Sequence, residues 1–184
     1  MKRLSSFAIC NALFLVASPV WAATQGTPGA TSVGSITINA SVTPEVNITN
    51  LDDITFSSAD LRRAVNIGTG ASASDAVCVW SNNPDRSYYI TAYGDGASDA
   101  FILNDGTRTI SYTVTWADNA TSTTGGQQLT SATKSPQFIS SATQPDCAGA
   151  DTAQVGISLT ATDIGAMEST TTYTGVLTLL VTPS

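Results

Sequence analysis

The stretch "ISYTVTW", Ile110 to Trp116, decides the fold. Ile110, Tyr112, Val114 and Trp116 fall on one side of an extended chain, and Ser111, Thr113 and Thr115 fall on the other. Unbroken alternation of this kind belongs to a strand with one buried face and one wet face, which is the habit of antiparallel sheets. Just upstream, "NDG" at Asn104 to Gly106 separates this run from "DAFILND" and predicts a hairpin turn.

Strand signals separated by turn chemistry recur in both directions. On the N-terminal side they are "PEVNITNL", "DITF", "AVNIG", "DAVCVWSN" and "RSYYITAYG". On the C-terminal side they are "PQFIS", "AQVGISLTAT" and "TYTGVLTLLVTP". No segment sustains a helical apolar stripe. "SSADLRRAV" has the makings of one turn, with Ser57 or Ser58 as cap and Leu61 and Val65 on one face. Many short strands without intervening helices predict an all-β antiparallel sandwich. "ADNATSTTGGQQ" reads as the one long polar loop.

The first residues read as a secretory signal peptide. Lys2 and Arg3 precede the apolar run "FAICNALFLVASPVW", and Val20 and Ala22 supply the small residues of a cleavage site after Ala22. That run is too short and too interrupted by Asn to be a membrane span. The expected organisation is a signal peptide at 1–22, a flexible extension with one strand at 23–44, and a single β domain at 45–184.

Cleavage would remove two positive charges and make the net charge of −7 more negative. Arg62, Arg63, Arg86, Arg108 and Lys134 would then face fourteen acidic residues. Such a surface repels nucleic acid and anionic membrane and favours solubility outside the cell. Of the three cysteines, Cys78 and Cys147 lie beyond the signal. Export makes one bridge between them the simplest expectation, closing a loop of about 70 residues worth about 4 kcal/mol.

The chain has no histidine. That excludes Ser–His–Asp and Cys–His catalysis, and two cysteines without histidine cannot build a zinc site. The acids sit mostly beside Gly, Asn, Ser or Asp, where carboxylates serve as turn residues rather than paired catalytic groups. "DGASDAFILNDG" lacks the ligand spacing of a calcium loop and reads as two turns around a strand. No catalytic residue, metal or cofactor is expected. Trp80, Tyr88, Tyr89, Tyr93 and Trp116 could stack on sugar in a secreted monomeric carbohydrate-binding module, although most alternate as core residues do.

"GSITINASVTP", Gly34 to Pro44, places Ile36, Ile38, Ala40 and Val42 on one side and Thr37, Asn39, Ser41 and Thr43 on the other. The residues before it are small and polar, and Pro44 ends it. Read alone, this stretch serves equally as the first strand of its own sandwich or as an arm for another molecule.

"SITINASVTPEVNI" and the C-terminal "TYTGVLTLLVTPS" together resemble pilin subunits of the chaperone–usher pathway. The resemblance is to CFA/I-like (alpha) fimbrial major subunits, with archaic Csu-type pilins behind them. The middle stretch "CVWSNNPDRSYYITAYGDG…TISYTVTWAD" resembles their central strands. A disulfide is a departure from the CFA/I-type major subunits.

The resemblance implies an incomplete immunoglobulin-like β-sandwich, completed by a strand donated from a neighbouring subunit. The donor strand would hold Val33, Ile36, Ile38, Ala40 and Val42 and stop at Pro44. The last strand, with Leu177, Leu179 and Val181, would line the acceptor groove; apolar residues on both of its sides suggest a deeply buried strand. Implied partners are identical or related pilin subunits in a head-to-tail homopolymer, a periplasmic chaperone, an outer-membrane usher and a host-cell receptor. The implied location is a fimbria on the cell surface, reached through the periplasm. A minor or tip-proximal subunit is the nearest alternative.

Overall fold

A computed structural model describes residues 23–122, 126–168 and 171–184, so the expected signal peptide at 1–22 lies outside the described residues. The chain divides into two compact units, one ending at Val42 and the other running from Thr43 to Ser184.

Among its described residues the second unit has ten strands in antiparallel sheets, two short α-helices and two 3-10 turns. The strands are β1 (Val46–Thr49), β2 (Ala71–Ser81), β3 (Ser87–Gly94), β4 (Ile102–Asn104) and β5 (Thr109–Ser111). They continue as β6 (Thr113–Ala117), β7 (Gln127–Leu129), β8 (Phe138–Ile139), β9 (Ala153–Leu159) and β10 (Leu177–Pro183). One sheet has the order β1-β2-β9-β6-β7 and a second has the order β10-β3-β8, while β4 and β5 form a hairpin of their own.

Inward side chains from the two larger sheets meet in one core. Val77 and Val79 of β2, Val114 and Trp116 of β6, and Val155 and Ile157 of β9 share it with Tyr88, Ile90 and Ala92 of β3. Trp116 Nε1 donates to Tyr88 Oη at 3.2 Å, so the one polar handle on each ring is satisfied across the core. Ile110, Tyr112, Val114 and Trp116 are all buried, and Ser111 and Thr113 are exposed, as their alternation predicts. The run is nonetheless two strands. At Tyr112 the backbone N–H turns to Phe101 O at 3.0 Å, and the chain passes from the hairpin to the five-stranded sheet.

The hairpin predicted at "NDG" forms with Asn104 opposite Thr109. Asp105 Oδ1 accepts from the N–H groups of Thr107 and Arg108, at 2.8 and 2.6 Å. These backbone bonds, Arg108 first, hold the Asp105 carboxyl below its ordinary pKa.

Three local expectations are corrected. "AVNIG" is not a strand: it is the end of helix α1 (Ser58–Ile67), which is longer than the single turn expected at "SSADLRRAV". Ser57 Oγ caps the helix at Asp60 N, and Gly68, with φ of 71°, closes it in the left-handed conformation that glycine adopts at no steric cost. "DITF" also forms no strand, although Ile54 and Phe56 still pack on the core. The third correction is β7, which occupies the end of the expected polar loop, its two glutamines exposed and only Leu129 buried.

Candidate functional site

The two larger sheets end differently at their margins. Along β3, one side is covered by the segment 132–140: Ala132 N–H bonds Ala92 O, Ser135 N–H bonds Ile90 O, and Ser140 N–H bonds Arg86 O. The other side is covered by β10, in register from Leu177 opposite Gly94 to Pro183 opposite Tyr88. Beyond β10 there is no further strand, and among the described residues its outer edge makes no backbone–backbone bond. The same holds for β1, which pairs only with β2.

These two unpaired edges face each other, with some Cα atoms of β1 and β10 within 8 Å. One intervening strand, hydrogen-bonded to both sides, needs edges about 9.6 Å apart. The seam is therefore narrower, along part of its length, than an inserted strand requires.

The seam is lined by apolar side chains that the fold leaves unfinished. Leu177, Leu179 and Val181 of β10 point to the core and touch it, yet all are only half-buried. Val46 and Ile48 of β1 are half-buried in the same way. The expectation of a deeply buried last strand is corrected: no residue of β10 is fully buried, and Leu180 on its other face is 45% exposed. The physical reason is that, among the described residues, β10 is hydrogen-bonded to a strand on one side only, which leaves the outer flank of each inward side chain partly open to water. Val46 and Ile48, absent from the expected site, were visible as alternating residues in "PEVNI".

The first unit holds Val33, Ile36, Ile38, Ala40 and Val42 of the predicted donor strand, and Pro44 falls in the second. Thr24 and Ser35 exchange reciprocal backbone bonds of 2.9 and 3.0 Å, and residues 36–42 belong to no strand. Val33, Ile36, Ile38 and Val42 are each at least 74% exposed, Ala40 is exposed, and the chain neither turns nor bends from Ile36 through Pro44. An apolar row is thus laid out with nothing in its own unit to cover it.

Cys78 and Cys147 are joined, as expected from the sequence. The bridge fastens the 142–152 segment over the outer face of β2, where Cys78, Ala142, Cys147 and Trp80 make a small second cluster. Thr152 Oγ1 accepts from Val79 N–H at 2.9 Å and donates to Val79 O at 3.0 Å, replacing the β9 pairing that ends at Val77.

Of the five aromatics named for sugar stacking, two are withdrawn into the core and Tyr93 is half-buried. Tyr88 and Trp116 are fully buried, Tyr89 lies under the Lys134 ammonium at 3.5 Å, and Trp80 belongs to the disulfide cluster. Burial raises the Tyr88 pKa well above the usual phenol value, opposed by the Trp116 hydrogen bond. Burial, with the nearby Asp95 charge, pushes Tyr112 up to about 12. A shallow polar hollow of about 370 Å³ lies elsewhere, among Asp118, Asn119, Thr121, Ser141 and Asp151.

Compared with known proteins, the chain matches no protein-family model and no curated sequence. Among the described residues no helix is long and apolar enough to cross a membrane.

Proposed function

We propose that this chain is a structural fibre subunit that polymerises by strand donation, a pilin of the chaperone–usher kind. The sandwich is an incomplete immunoglobulin-like one. The β1–β10 seam is its acceptor groove, which has to widen where its edges lie within 8 Å, and residues 33–43 are the strand it gives to the next subunit. The observation that carries the reading is the pairing of two incomplete features in one chain. One is a seven-residue edge strand with half-buried Leu177, Leu179 and Val181. The other is an exposed row of Ile36, Ile38 and Val42, with Val33 also exposed ahead of it. Each supplies what the other lacks.

The energetics favour their union. Each of Ile36, Ile38 and Val42 would gain about 1.5–3 kcal/mol on full burial, and the unpaired edges of β1 and β10 would gain main-chain partners. Left open, such an edge invites aggregation. This explains the need for a periplasmic chaperone to cover it, an outer-membrane usher to hand it on, and export to the surface. Donation without ring closure gives an open, head-to-tail fibre of identical or related subunits. The reading assigns the chain no catalysis and no cofactor; a receptor on a host cell is the partner of the assembled fibre.

The test is size analysis of the chain exported to a bacterial periplasm, with and without a cognate chaperone. The full chain is expected to form a ladder of oligomers. Ile38→Asp should collapse that ladder while leaving the melting temperature of its own domain unchanged, because position 38 is buried only after donation. A full chain that stays a stable monomer at high concentration without chaperone contradicts the proposal and favours a self-sufficient binding module.

A further inference from the structure

The apolar row of the donor arm ends at Val42, so only Thr43, Pro44 and Glu45 stand between it and the acceptor edge β1. The tetrad Thr43-Pro44-Glu45-Val46 is itself a good turn sequence, since proline at the second position is preset for types I and II. Such a turn would fold residues 36–42 back along β1 of the same chain, fill the seam from within, and give a capped monomer.

One residue opposes that turn. Asn82, just past the end of β2, satisfies the backbone polar groups of Thr43 and Glu45 that a turn would redirect. Its Nδ2 donates to Thr43 O at 2.8 Å. Its Oδ1 accepts from Glu45 N–H at 2.7 Å. Its own N–H donates to Glu45 O at 3.1 Å. Pro44 between them has no N–H to satisfy. A turn centred on Pro44 and Glu45 would take Thr43 O for the Val46 N–H and rotate Glu45 away from Asn82. Held as it is, Glu45 stays bonded to Asn82 in line with the β1–β2 ladder, and a turn centred on Pro44 and Glu45 cannot form.

We infer that Asn82 is a positioning residue that bars the arm from its own seam and so commits strand donation to another chain. This rests on the donation reading above, and it adds what selects between self-capping and assembly.

The test separates the two. In the full chain a photoreactive leucine analogue replaces Ile38, and equal amounts of isotopically heavy and light protein are assembled together and illuminated. Cross-linked peptides joining position 38 to β1 or β10 then report donation between chains when they mix isotopes, and self-capping when they do not. With Asn82 intact, mixed links should dominate. Asn82→Ala, by releasing two side-chain bonds, should raise the same-chain share about tenfold.

An unchanged share in Asn82→Ala overturns the clamp and leaves donation standing. No link from position 38 to either edge, with Asn82 intact, overturns donation and the clamp with it. If Asn82→Ala does not fold, a Gly-Asn-Gly insertion between Ser41 and Val42 supplies a turn upstream of an intact clamp. Same-chain links should rise there too, and their failure to rise would show that the seam rejects its own arm whatever Asn82 does.

Discussion

Strands β9 and β10 carry the same alternation and meet different fates. In β9 every second residue, from Ala153 to Leu159, is buried. In β10 the corresponding residues Leu177, Leu179 and Val181 stop half-way. Apolar character does not separate them, since β10 is the more apolar of the two. The difference is neighbours: β9 is hydrogen-bonded between β2 and β6, whereas among the described residues β10 is hydrogen-bonded to β3 alone. Alternation tells which face is inward; depth is set by what flanks the strand. An apolar strand of seven residues left at an edge is a liability in a lone molecule, and it is the feature from which the proposed assembly follows.

Charge substitution breaks the comparison most strongly. Val155→Asp puts an unpaired carboxylate into the closed part of the core and should cost about 4–5 kcal/mol, enough to unfold the isolated subunit. Leu179→Asp at the open edge should cost only about 1–2 kcal/mol, because the carboxylate keeps access to water. Urea unfolding of the two variants checks this. Leu179→Asp, though folded, should still fail to be captured by chaperone or to polymerise, so at this edge assembly is lost without loss of the fold.

Reduction is next. The Cys78–Cys147 bridge, 69 residues apart in sequence, fastens the cover of β2. Its loss should destabilise the subunit by about 2–4 kcal/mol. Hydrogen exchange should then quicken on β2 and the 142–152 segment more than on β10, whose amides already exchange from an open edge. A non-reduced digest should contain the linked peptides.

The smallest effect concerns pH. Tyr112 has an ordinary value of 10.0 that burial pushes up to about 12 in the folded chain. The folded state therefore holds this proton more tightly than the unfolded one. The contribution is complete below pH 10 and is lost as the pH climbs through 12. Tyr112→Phe should flatten that part of the stability profile, measured by denaturant titration at successive pH values.

Much of this fold is legible in the sequence because sheets write themselves with a period of two. "AQVGISL" and "NDG" each contain, within a few residues, the information that places them, and Ile110 to Trp116 shows its buried face, though not the break at Tyr112 that divides it between two sheets. Where tertiary context decides, the pattern misleads. "AVNIG" has strand-like composition, yet Ser57 and Gly68, outside it, make it the end of a helix. β7 is paired by its backbone and has only Leu129 to announce it.

The candidate site divides in the same way. Leu177, Leu179, Val181 and the arm residues are legible by alternation. The half-burial of the seam is not, because it depends on which strand is missing a neighbour. Asn82 could not be found at all: one asparagine in "SNNP" gives no sign that it reaches Thr43 and Glu45.

The most direct measurement of the central claim is hydrogen exchange on β10 in a chain beginning at Thr43, with and without a synthetic peptide of residues 33–44. Strand donation predicts saturable binding, slowed exchange along Leu177 to Val181 and along β1, and a melting temperature that rises with peptide occupancy. Exchange and melting unchanged at saturating peptide, in a chain that is folded, would contradict it.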